Sequence, residues 1–338
     1  MWQDIITLVL GVIGILVLAE IAVRSTLKIA HNFKWSDTFI GLTILSIGTS
    51  IPEIMAAVVG SIDILKEPSL MYTISGLIVG TNVGSDIFQQ SFVLALVGLV
   101  GTVVVIRKNL LSEVGALIAG TLLMWIMTLG GFINRIEGTI MLLIYIAYLI
   151  YLEKRQRKKK HKDPTVKHII HKKVKKIKKG ELCTSKLCLE IGITILSFAI
   201  MAYAANKVIH ASTILVAELP ISASFFGVLL LGIASALPEL TTALIAVMKH
   251  KKGISAGVLI GSNVTNPLLG LGLGAMISGY AIPKVTMFYD LPAKIGIASL
   301  IFYFLWRNEK LNKWEAVVLI AIFIAYLTAR NFLFPVDF

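Results

Sequence analysis

The chain contains ten apolar segments, each long enough to form or nearly form a membrane-spanning helix, which takes about 20 residues. They cover residues 3–23, 38–60, 71–105, 110–130, 136–152, 187–206, 221–248, 254–279, 287–306 and 314–334. Hydrophobic residues make up 57% of the sequence, and a soluble domain of this size could not cover that much apolar surface. We therefore predict an all-α membrane protein with ten transmembrane helices.

The positive charge of the chain is concentrated in one stretch. Lys and Arg number 32 against 19 Asp and Glu, a net charge of +13, and residues 154–179 alone hold 14 Lys and Arg with a single acid, Asp163. The rest of the chain is therefore neutral. Because this stretch lies between two apolar segments, it is typical of a cytoplasmic loop close to anionic lipid, and we expect no binding of nucleic acid.

The distribution of Lys and Arg also predicts the orientation of the chain in the cell membrane. With both termini outside, 26 of these residues fall in the cytoplasmic loops, which are 24–37, 106–109, 153–186, 249–253 and 307–313. The other six fall on the outer side: Lys66, Arg135, Lys207, Lys284, Lys294 and Arg330. Because positive residues favour the cytoplasmic side, this split predicts a multi-pass protein with a cytoplasmic 153–186 loop.

Two pairs of apolar segments carry related sequences. The second segment contains GLTILSIGTSIPEIMAAVVG from Gly41, and the seventh contains GVLLLGIASALPELTTALIA from Gly227, an offset of 186 residues. The third contains GTNVGSDIFQQ from Gly80, and the eighth contains GVLIGSNVTNP from Gly257, an offset of 177. The members of each pair are five segments apart, and an odd number means that the two copies face opposite sides of the membrane, as in an inverted repeat.

The repeat predicts the organisation of the whole chain. We expect a first five-helix repeat over residues 1–152, the basic loop over 153–186, and a second five-helix repeat over 187–338. The related sequences themselves cover 41–98 and 227–274. We expect the helices that carry the repeated motifs to be broken and to meet at the centre of the bundle.

Each copy places a glutamate directly after a proline inside an apolar segment, Glu53 after Pro52 and Glu239 after Pro238. A carboxylate at that depth costs at least about 2.5–3.5 kcal/mol, so it is retained when it is paired, protonated or bound to a cation. Proline cannot donate a backbone hydrogen bond, which frees a carbonyl one turn earlier, and bare carbonyls in a membrane must be buried in protein or line a cavity. Carboxylate, carbonyl and hydroxyl oxygens together suit a hard cation such as Ca²⁺ or Na⁺.

The Gly-Ser pairs of the third and eighth segments add further polar groups. On a helix, Ser85 shares a face with Gln89, and Ser262 shares a face with Asn266, because residues four apart are neighbours on the helix surface. Gln89 and Asn266 are therefore candidate site-lining residues. Asp86 is a third candidate, although it lies about 100° around the helix from Ser85.

At these residues the sequence resembles the calcium:cation antiporter superfamily, and within it the sodium/calcium exchanger branch. The first copy contains GTSIPE over Gly48 to Glu53, a full match to the family motif, and the second contains ASALPE over Ala234 to Glu239, a partial match. The ten-segment plan with a basic central loop extends the resemblance to essentially the whole chain. The resemblance implies one ion site halfway across the membrane, with Ca²⁺ and Na⁺ as transported ions and no cofactor.

The resemblance also implies a role for each matching residue. Glu53 and Glu239 would bind Ca²⁺, and the backbone carbonyls of Thr49 and Ser235 would complete its ligand shell. Na⁺ would bind on one side to Ser50, Thr49, Ser85 and Glu53, and on the other side to Ser235, Ser262, Glu239 and the carbonyl of Gly232. The chain departs from the family pattern at Ala236, which replaces a serine, and at Gln89 and Asn266, where members carry Asn or Asp.

The sequence therefore predicts a secondary active antiporter that exchanges Ca²⁺ for Na⁺ by alternating access. The missing hydroxyl at Ala236 weakens the sodium motif, so Ca²⁺/H⁺ exchange, or exchange of another divalent cation for H⁺, is the alternative. A cation channel would use the same oxygens without countertransport. No HExxH, nucleophile-elbow or P-loop pattern is present, so we expect no enzyme, and we expect a monomer in the bilayer.

Overall fold

The structure is a computed structural model that describes residues 2–30, 39, 41–101, 107–162, 184–219, 221–250, 252–334 and 336–337. Its α-helices are Trp2–Ala30, Ser46–Thr49, Ile51–Lys66, Met71–Phe88, Leu94–Val100, Arg107–Thr128, Arg135–Lys162, Thr184–Glu218, Ala223–Phe226, Gly232–Ser235, Leu237–Met248, Lys252–Thr265, Gly272–Ser278, Leu291–Asn308 and Lys313–Leu333. A 3-10 turn spans Pro68–Leu70, and π-helical segments span Gly41–Leu45, Gln89–Val93, Gly227–Leu231, Asn266–Leu271 and Thr286–Asp290. Most of the predicted basic loop, residues 163–183, lies outside the described residues.

Nine helices in the described ranges are long and apolar enough to cross a membrane, and one bent pair of helices forms a tenth crossing. We number them in chain order as spans 1 to 10: Trp2–Ala22, the pair Gly41–Thr49 and Ile51–Lys66, Pro68–Val100, Leu110–Thr128, Arg135–Arg155, Leu189–Glu218, Ala223–Met248, Gly253–Ser278, Thr286–Asn308 and Lys313–Leu333. Each span overlaps one predicted apolar segment. The prediction of an all-α membrane protein with ten transmembrane helices is therefore confirmed.

Spans 3 and 8, which carry the Gly-Ser pairs, form the centre of the bundle. In their most apolar stretches 78% of span 3 and 89% of span 8 is buried, against 17% in spans 1 and 6. Large apolar side chains such as Leu10, Leu143 and Trp314 are exposed on the outer spans, as expected where a protein surface faces lipid. The polar residues of the Gly-Ser motifs therefore lie in the buried centre of the bundle.

Both Pro-Glu motifs interrupt their spans. In span 2 one helix ends at Thr49 and the next begins at Ile51, with a bend of 52° between them. In span 7 only Ala236 separates the helix that ends at Ser235 from the one that begins at Leu237. Each proline lies in the first turn of the second helix, where its missing N–H costs no hydrogen bond. The glutamate that follows each proline therefore lies directly beside the break.

Short π-helical segments occur at matching positions of the two copies. Gly41–Leu45 and Gly227–Leu231 begin 186 residues apart, and Gln89–Val93 and Asn266–Leu271 begin 177 residues apart. These are the two offsets of the sequence repeat. Because π-helical turns are frequently found at functional sites, their recurrence gives both copies the same local irregularity next to the motifs.

The copies pack against each other at the glycines of the Gly-Ser pairs. A Cβ atom on Gly84 of span 3 would lie 2.5 Å from Val228 Cα of span 7, and one on Gly261 of span 8 would lie 3.0 Å from Leu42 Cα of span 2. Leu42 and Val228 occupy matching positions of the repeat, as Gly84 and Gly261 do. Only glycine permits two helix backbones to approach this closely. Each Gly-Ser helix therefore lies against the Pro-Glu span of the other copy.

Contacts between loops define one end of the bundle. Strand Phe132–Ile133 pairs antiparallel with strand Tyr280–Ala281, which joins the loop after span 4 to the loop after span 8 and forms the only β-sheet in the described chain. The Tyr280 hydroxyl lies 2.6 Å from Ser61 Oγ near the end of span 2. The Lys284 N–H donates to the Asp337 carbonyl at 2.9 Å, which brings the C-terminal region to the same end. Loops that the charge distribution predicts to be outside thus lie together.

Candidate ion-binding site

The glutamates of the two Pro-Glu motifs are buried, and each accepts a hydrogen bond from a serine. Glu53 is 2% exposed and Glu239 is fully buried. The Ser85 hydroxyl donates to Glu53 Oε1 at 2.8 Å, and the Ser50 hydroxyl donates to Glu239 Oε1 at 3.4 Å. The second bond joins the two copies, because Ser50 belongs to the first and Glu239 to the second. The structure thus brings these four predicted site residues together.

The predicted ligands at the two helix breaks lie beside the glutamate of the opposite copy. The Thr49 hydroxyl interacts with Glu239, and the Ser235 hydroxyl interacts with Glu53. Thr49 also donates to the carbonyl one turn earlier at 2.9 Å, and Ser235 donates to the Gly232 carbonyl at 3.2 Å. A hydroxyl has one hydrogen and two lone pairs. Each hydroxyl therefore donates to one acceptor at a time, either this carbonyl or the opposite glutamate, and in both cases its oxygen keeps lone pairs that a cation could use.

Several buried oxygens of this region have no hydrogen-bond donor in the described part of the chain. They are the second carboxylate oxygens, Glu53 Oε2 and Glu239 Oε2, and the side-chain amide oxygens of Asn82, Gln90 and Asn266. Buried polar atoms are almost always paired with protein or ordered water, and an unpaired buried carboxylate is especially costly. Because all five atoms are acceptors, bound cations or water would satisfy them.

Gln89 links the Gly-Ser motifs of the two copies. Its Nε2 donates to Ser85 Oγ at 2.9 Å, while its Oε1 accepts from the Ser262 hydroxyl and, at 3.2 Å, from Asn263 Nδ2. Ser262 therefore contacts Gln89, whereas its counterpart Ser85 contacts Glu53. One amide side chain thus connects the predicted sodium ligands of spans 3 and 8.

Asp86 and Asn266, the other two candidate lining residues, are bound to each other. Asn266 Nδ2 donates to Asp86 Oδ1 at 2.8 Å, and the Asn266 backbone carbonyl accepts from Asn82 Nδ2 at 2.8 Å. The second oxygen, Asp86 Oδ2, forms a buried ion pair with Lys294 of span 9. The side chain that was expected to lie off the Ser85 face therefore has a basic partner from another span.

Lys294 and Arg330, which the charge count placed on the outer side, lie inside spans 9 and 10 rather than in outer loops. Both side chains are fully buried, and they form ion pairs with Asp86 and Asp290. The assignment used only the distribution of charge along the chain, which cannot reveal an acid on a neighbouring helix. The signal that points to them is their position within the apolar segments 287–306 and 314–334, since a charge inside a span is a marker of function or of buried pairing.

Three buried amide residues of the central spans were not predicted: Asn82, Gln90 and Asn263. Gln90 Nε2 donates to Asn263 Oδ1 at 2.7 Å, which adds a second bond between spans 3 and 8. Their sequence signal is weak, because single amides also occur in membrane helices as simple interhelical hydrogen-bonding groups.

The composition of the site limits the kind of cation that it could hold. Among the residues that the structure describes, no group of three or more His, Cys, Asp or Glu side chains is arranged to hold a metal ion. The available ligands are therefore two carboxylates with hydroxyl, carbonyl and amide oxygens. Such oxygen sets suit Ca²⁺ and Na⁺ rather than softer metals, which prefer nitrogen and sulfur.

Relatives of the chain extend over nearly its whole length. The model of the family described as sodium/calcium exchanger protein matches residues 4–153 and 189–331. The inner membrane protein YrbG of Escherichia coli is 26% identical over 331 residues, which cover 97% of both chains. The sodium/calcium exchanger MaX1 of Methanosarcina acetivorans is 24% identical and covers 96% of this chain and 97% of its own. The putative antiporter CaxA of Alkalimonas amylolytica is 25% identical and covers 95% of this chain and 96% of its own.

The fold is shared with solved structures. A structure of the sodium-calcium exchanger NCX_Mj soaked with Na⁺ and Ca²⁺ has a TM-score of 0.64 at 20% identity, and the match covers 97% of this chain and 98% of that one. A second structure of NCX_Mj, soaked with Na⁺ and Sr²⁺, has a TM-score of 0.64 at 21% identity. The helical architecture described above is therefore that of a known exchanger.

Proposed function

The chain belongs to the sodium/calcium exchanger protein family, a family of membrane cation antiporters, and we propose that this member exchanges Ca²⁺ for Na⁺. The observation that carries the proposal is the pair of buried carboxylates, Glu53 and Glu239, one from each copy of the repeat. Their Oε2 atoms have no hydrogen-bond donor among the described residues. A bound cation would compensate both charges at once, which no described basic side chain does.

Ca²⁺ would be held by the two carboxylates together with the backbone carbonyls of Thr49 and Ser235. Two carboxylates neutralise one divalent cation, and Ca²⁺ accepts the mixed, flexible oxygen set that a helix break offers. Support comes from the two breaks, which leave each glutamate in the first turn of a helix. This assignment predicts that both glutamates are needed for Ca²⁺ transport.

Na⁺ would use an overlapping set of oxygens. Ser50, Thr49, Ser85 and Glu53 would serve on one side, and Ser235, Ser262, Glu239 and the Gly232 carbonyl on the other. Because Ca²⁺ and Na⁺ would share the same negative charge, full occupancy by both at once is electrostatically unfavourable. One cation must therefore leave before the other binds, and this competition is the basis of exchange.

Alternating access would follow from the relation between the two copies. Inverted repeats in transporters open a central site to each side of the membrane in turn by moving one helical group against another. Here each Gly-Ser helix lies against the Pro-Glu span of the other copy. A rearrangement at that contact would expose the site to opposite sides.

Ca²⁺/H⁺ exchange is the second candidate, and a specific residue favours it. Ala236 offers no hydroxyl where the first copy has Ser50, which bonds to Glu239. A site with fewer sodium ligands depends more on its carboxylates, and these can carry protons as well as metal ions.

The test is uptake of radioactive Ca²⁺ into proteoliposomes that contain the purified full chain, driven by an outward Na⁺ gradient or by a pH gradient. We expect the Na⁺ gradient to drive uptake. Uptake with the pH gradient alone would instead establish the second candidate. No uptake with either gradient would contradict both.

Substitutions test the site assignment in the same vesicles. Glu53→Gln and Glu239→Gln should each reduce uptake to background, because the neutral amide keeps the size of the side chain but removes its charge. Glu67→Gln is the matched control, since Glu67 is exposed at the end of span 2. Normal uptake by both site variants would show that the cation binds elsewhere.

A further inference from the structure

A buried ion pair adjoins the proposed cation site. The side chains of Lys294 and Asp86 are both fully buried, and the Lys294 ammonium contacts Asp86 Oδ2. Asp86 directly follows Ser85, whose hydroxyl donates to Glu53, and its carboxylate is within electrostatic range of both Glu53 and Glu239. The ammonium charge therefore lies in the same field as the transported cations.

The ion pair also determines the orientation of the Asn266 side-chain amide, whose oxygen could bind a cation. Asp86 Oδ1 accepts a hydrogen bond from Asn266 Nδ2 at 2.8 Å. The other end of that amide, Asn266 Oδ1, is buried and has no donor in the described chain. Because an amide carries its donor and its acceptor on opposite sides, holding the nitrogen on Asp86 leaves the oxygen available to a cation.

The ammonium group fills a place that would otherwise attract a free cation. Without Lys294, three buried carboxylates would share one region of the bundle: Asp86, Glu53 and Glu239. Like charges in a low-dielectric interior repel strongly, and they are retained there when cations compensate them. With Lys294 present, the charge of Asp86 is cancelled and the two glutamates alone are left for the transported ions.

We propose that Lys294 is a tethered resident cation, which excludes free monovalent cations from Asp86 and, through Asp86, positions the Asn266 oxygen at the site. The inference rests on the proposed function only in taking Glu53 and Glu239 as the transport site. Lys294 and Asp86 are positioning residues that determine which cations the site accepts. The wild-type protein should therefore be indifferent to a monovalent cation that does not drive transport, such as K⁺.

Removal of the tethered charge should create a binding site for K⁺. Purified Lys294→Met is compared with wild type by thermal unfolding in detergent, in KCl and in choline chloride at equal ionic strength. A ligand that binds only the folded state raises the melting temperature, so K⁺ should raise that of Lys294→Met and not that of wild type. Lys294→Gln, which retains a hydrogen-bond donor towards Asp86, serves where Lys294→Met does not fold.

Transport gives a second measurement. With the gradient that drives wild-type Ca²⁺ uptake, Lys294→Met should be slow in choline chloride and recover in KCl, while wild type is equal in both. The double variant Lys294→Met/Asp86→Asn should be indifferent to K⁺ and should transport, because neither charge remains. Asp86→Asn alone leaves the ammonium unpaired, and should raise the half-saturating Ca²⁺ concentration by about tenfold or more.

A purely structural ion pair would give a different result. If the folded Lys294→Met and Lys294→Gln variants show no K⁺ dependence in melting or in uptake, the proposal is overturned. It is also overturned if the double variant is as defective as Lys294→Met, since neutralising Asp86 should remove the need for a cation there. The melting experiment needs no transport, so its failure is distinct from failure of wild type to exchange Ca²⁺ for Na⁺.

Discussion

Charge compensation at single residues explains why the interior can hold so many acids. Burying a carboxylate among helices is tolerated when a partner offsets the loss of hydration. Asp86 and Asp290 have such partners in Lys294 and Arg330. Among the described residues, no basic side chain forms an ion pair with Glu53, and the same holds for Glu239. A bound cation or a proton would compensate them, which is the physical reason for proposing that they form a cation site.

Loss of the Ser50 hydroxyl should weaken Na⁺ more than Ca²⁺. Ser50 is fully buried, and its hydroxyl reaches Glu239 of the other copy. In the proposed site it ligates Na⁺ but not Ca²⁺. We expect Ser50→Ala to raise the half-maximal Na⁺ concentration by about tenfold, the effect of losing roughly 1.4 kcal/mol of binding free energy, with a smaller change for Ca²⁺. The measurement is Ca²⁺ uptake as a function of Na⁺ concentration.

Thr241→Ala is the control for this substitution. Thr241 is exposed on span 7, and its hydroxyl donates to the Leu237 carbonyl of its own helix at 2.8 Å. The Thr241→Ala variant should leave the dependence of uptake on Na⁺ concentration and on Ca²⁺ concentration unchanged. An equal loss of Na⁺ and Ca²⁺ affinity in Ser50→Ala would contradict the separate sodium role of the hydroxyl.

At the scale of helices, the contact between copies depends on the absence of a side chain at Gly84 and Gly261. A methyl group at Gly84 would overlap the backbone of Val228, and overpacking typically costs about 1–3 kcal/mol. We therefore expect Gly84→Ala and Gly261→Ala to lower the melting temperature of the purified protein and to slow transport.

Gly296→Ala provides the matched control, because a Cβ atom there would meet no atom of the described residues within 4 Å. Alanine is favoured over glycine in a helix by about 0.5–1 kcal/mol, so this variant should be as stable as wild type or slightly more stable. If Gly84→Ala and Gly261→Ala behaved in the same way as Gly296→Ala, the close packing of the copies would be refuted.

The helices also show which features can be predicted from the sequence and which cannot. The breaks before Glu53 and Glu239 were predictable because proline acts on its own helix. The partner of Asp86 was not, because Lys294 lies about two hundred residues away in the sequence and reaches Asp86 only through packing of span 9 on span 3. The bond from Ser262 to Gln89 likewise depends on how two helices meet. Local chemistry is therefore readable from sequence, while pairing across helices requires the fold.

In the whole molecule, Arg330 ties several distant parts of the chain together. Its Nε donates to Asp290 Oδ1 at 3.1 Å, its Nη1 donates to the Phe334 carbonyl at 2.7 Å, and its Nη2 contacts the Ser224 hydroxyl. Ser224 in turn donates its N–H to Asp337 at 2.9 Å. Spans 7, 9 and 10 and the C-terminal region thus meet at one buried guanidinium.

Removing that guanidinium should destabilise the whole bundle. Arg330→Met leaves Asp290 buried without its basic partner, and breaking a buried pair typically costs about 3–5 kcal/mol. The double variant Arg330→Met/Asp290→Asn should recover part of this loss, because the buried charge of Asp290 is removed, while Asp337, 3.7 Å from Arg330 Nη2, still loses its basic partner. The measurement is the free energy of unfolding in detergent for both single variants and the double variant. A double variant as unstable as the sum of its singles would show that the two charges do not interact.

The orientation of the whole bundle in the membrane can be tested by labelling, because the fold places exposed lysines at its two ends. Lys66 and Lys310 are both exposed. Lys66 lies beside Pro68, where span 3 begins. Lys310 lies in a loop that packs near Gly98 at the opposite end of span 3, where a Cβ atom on Gly98 would lie 2.8 Å from Leu311.

For the labelling experiment, one cysteine is introduced at Lys66 or Lys310 after Cys183 and Cys188 are replaced by serine. From the charge distribution, we expect a membrane-impermeant maleimide to label Lys66→Cys in intact cells and Lys310→Cys only after permeabilisation. The opposite result would invert the orientation, and labelling of both in intact cells would contradict their placement at opposite ends.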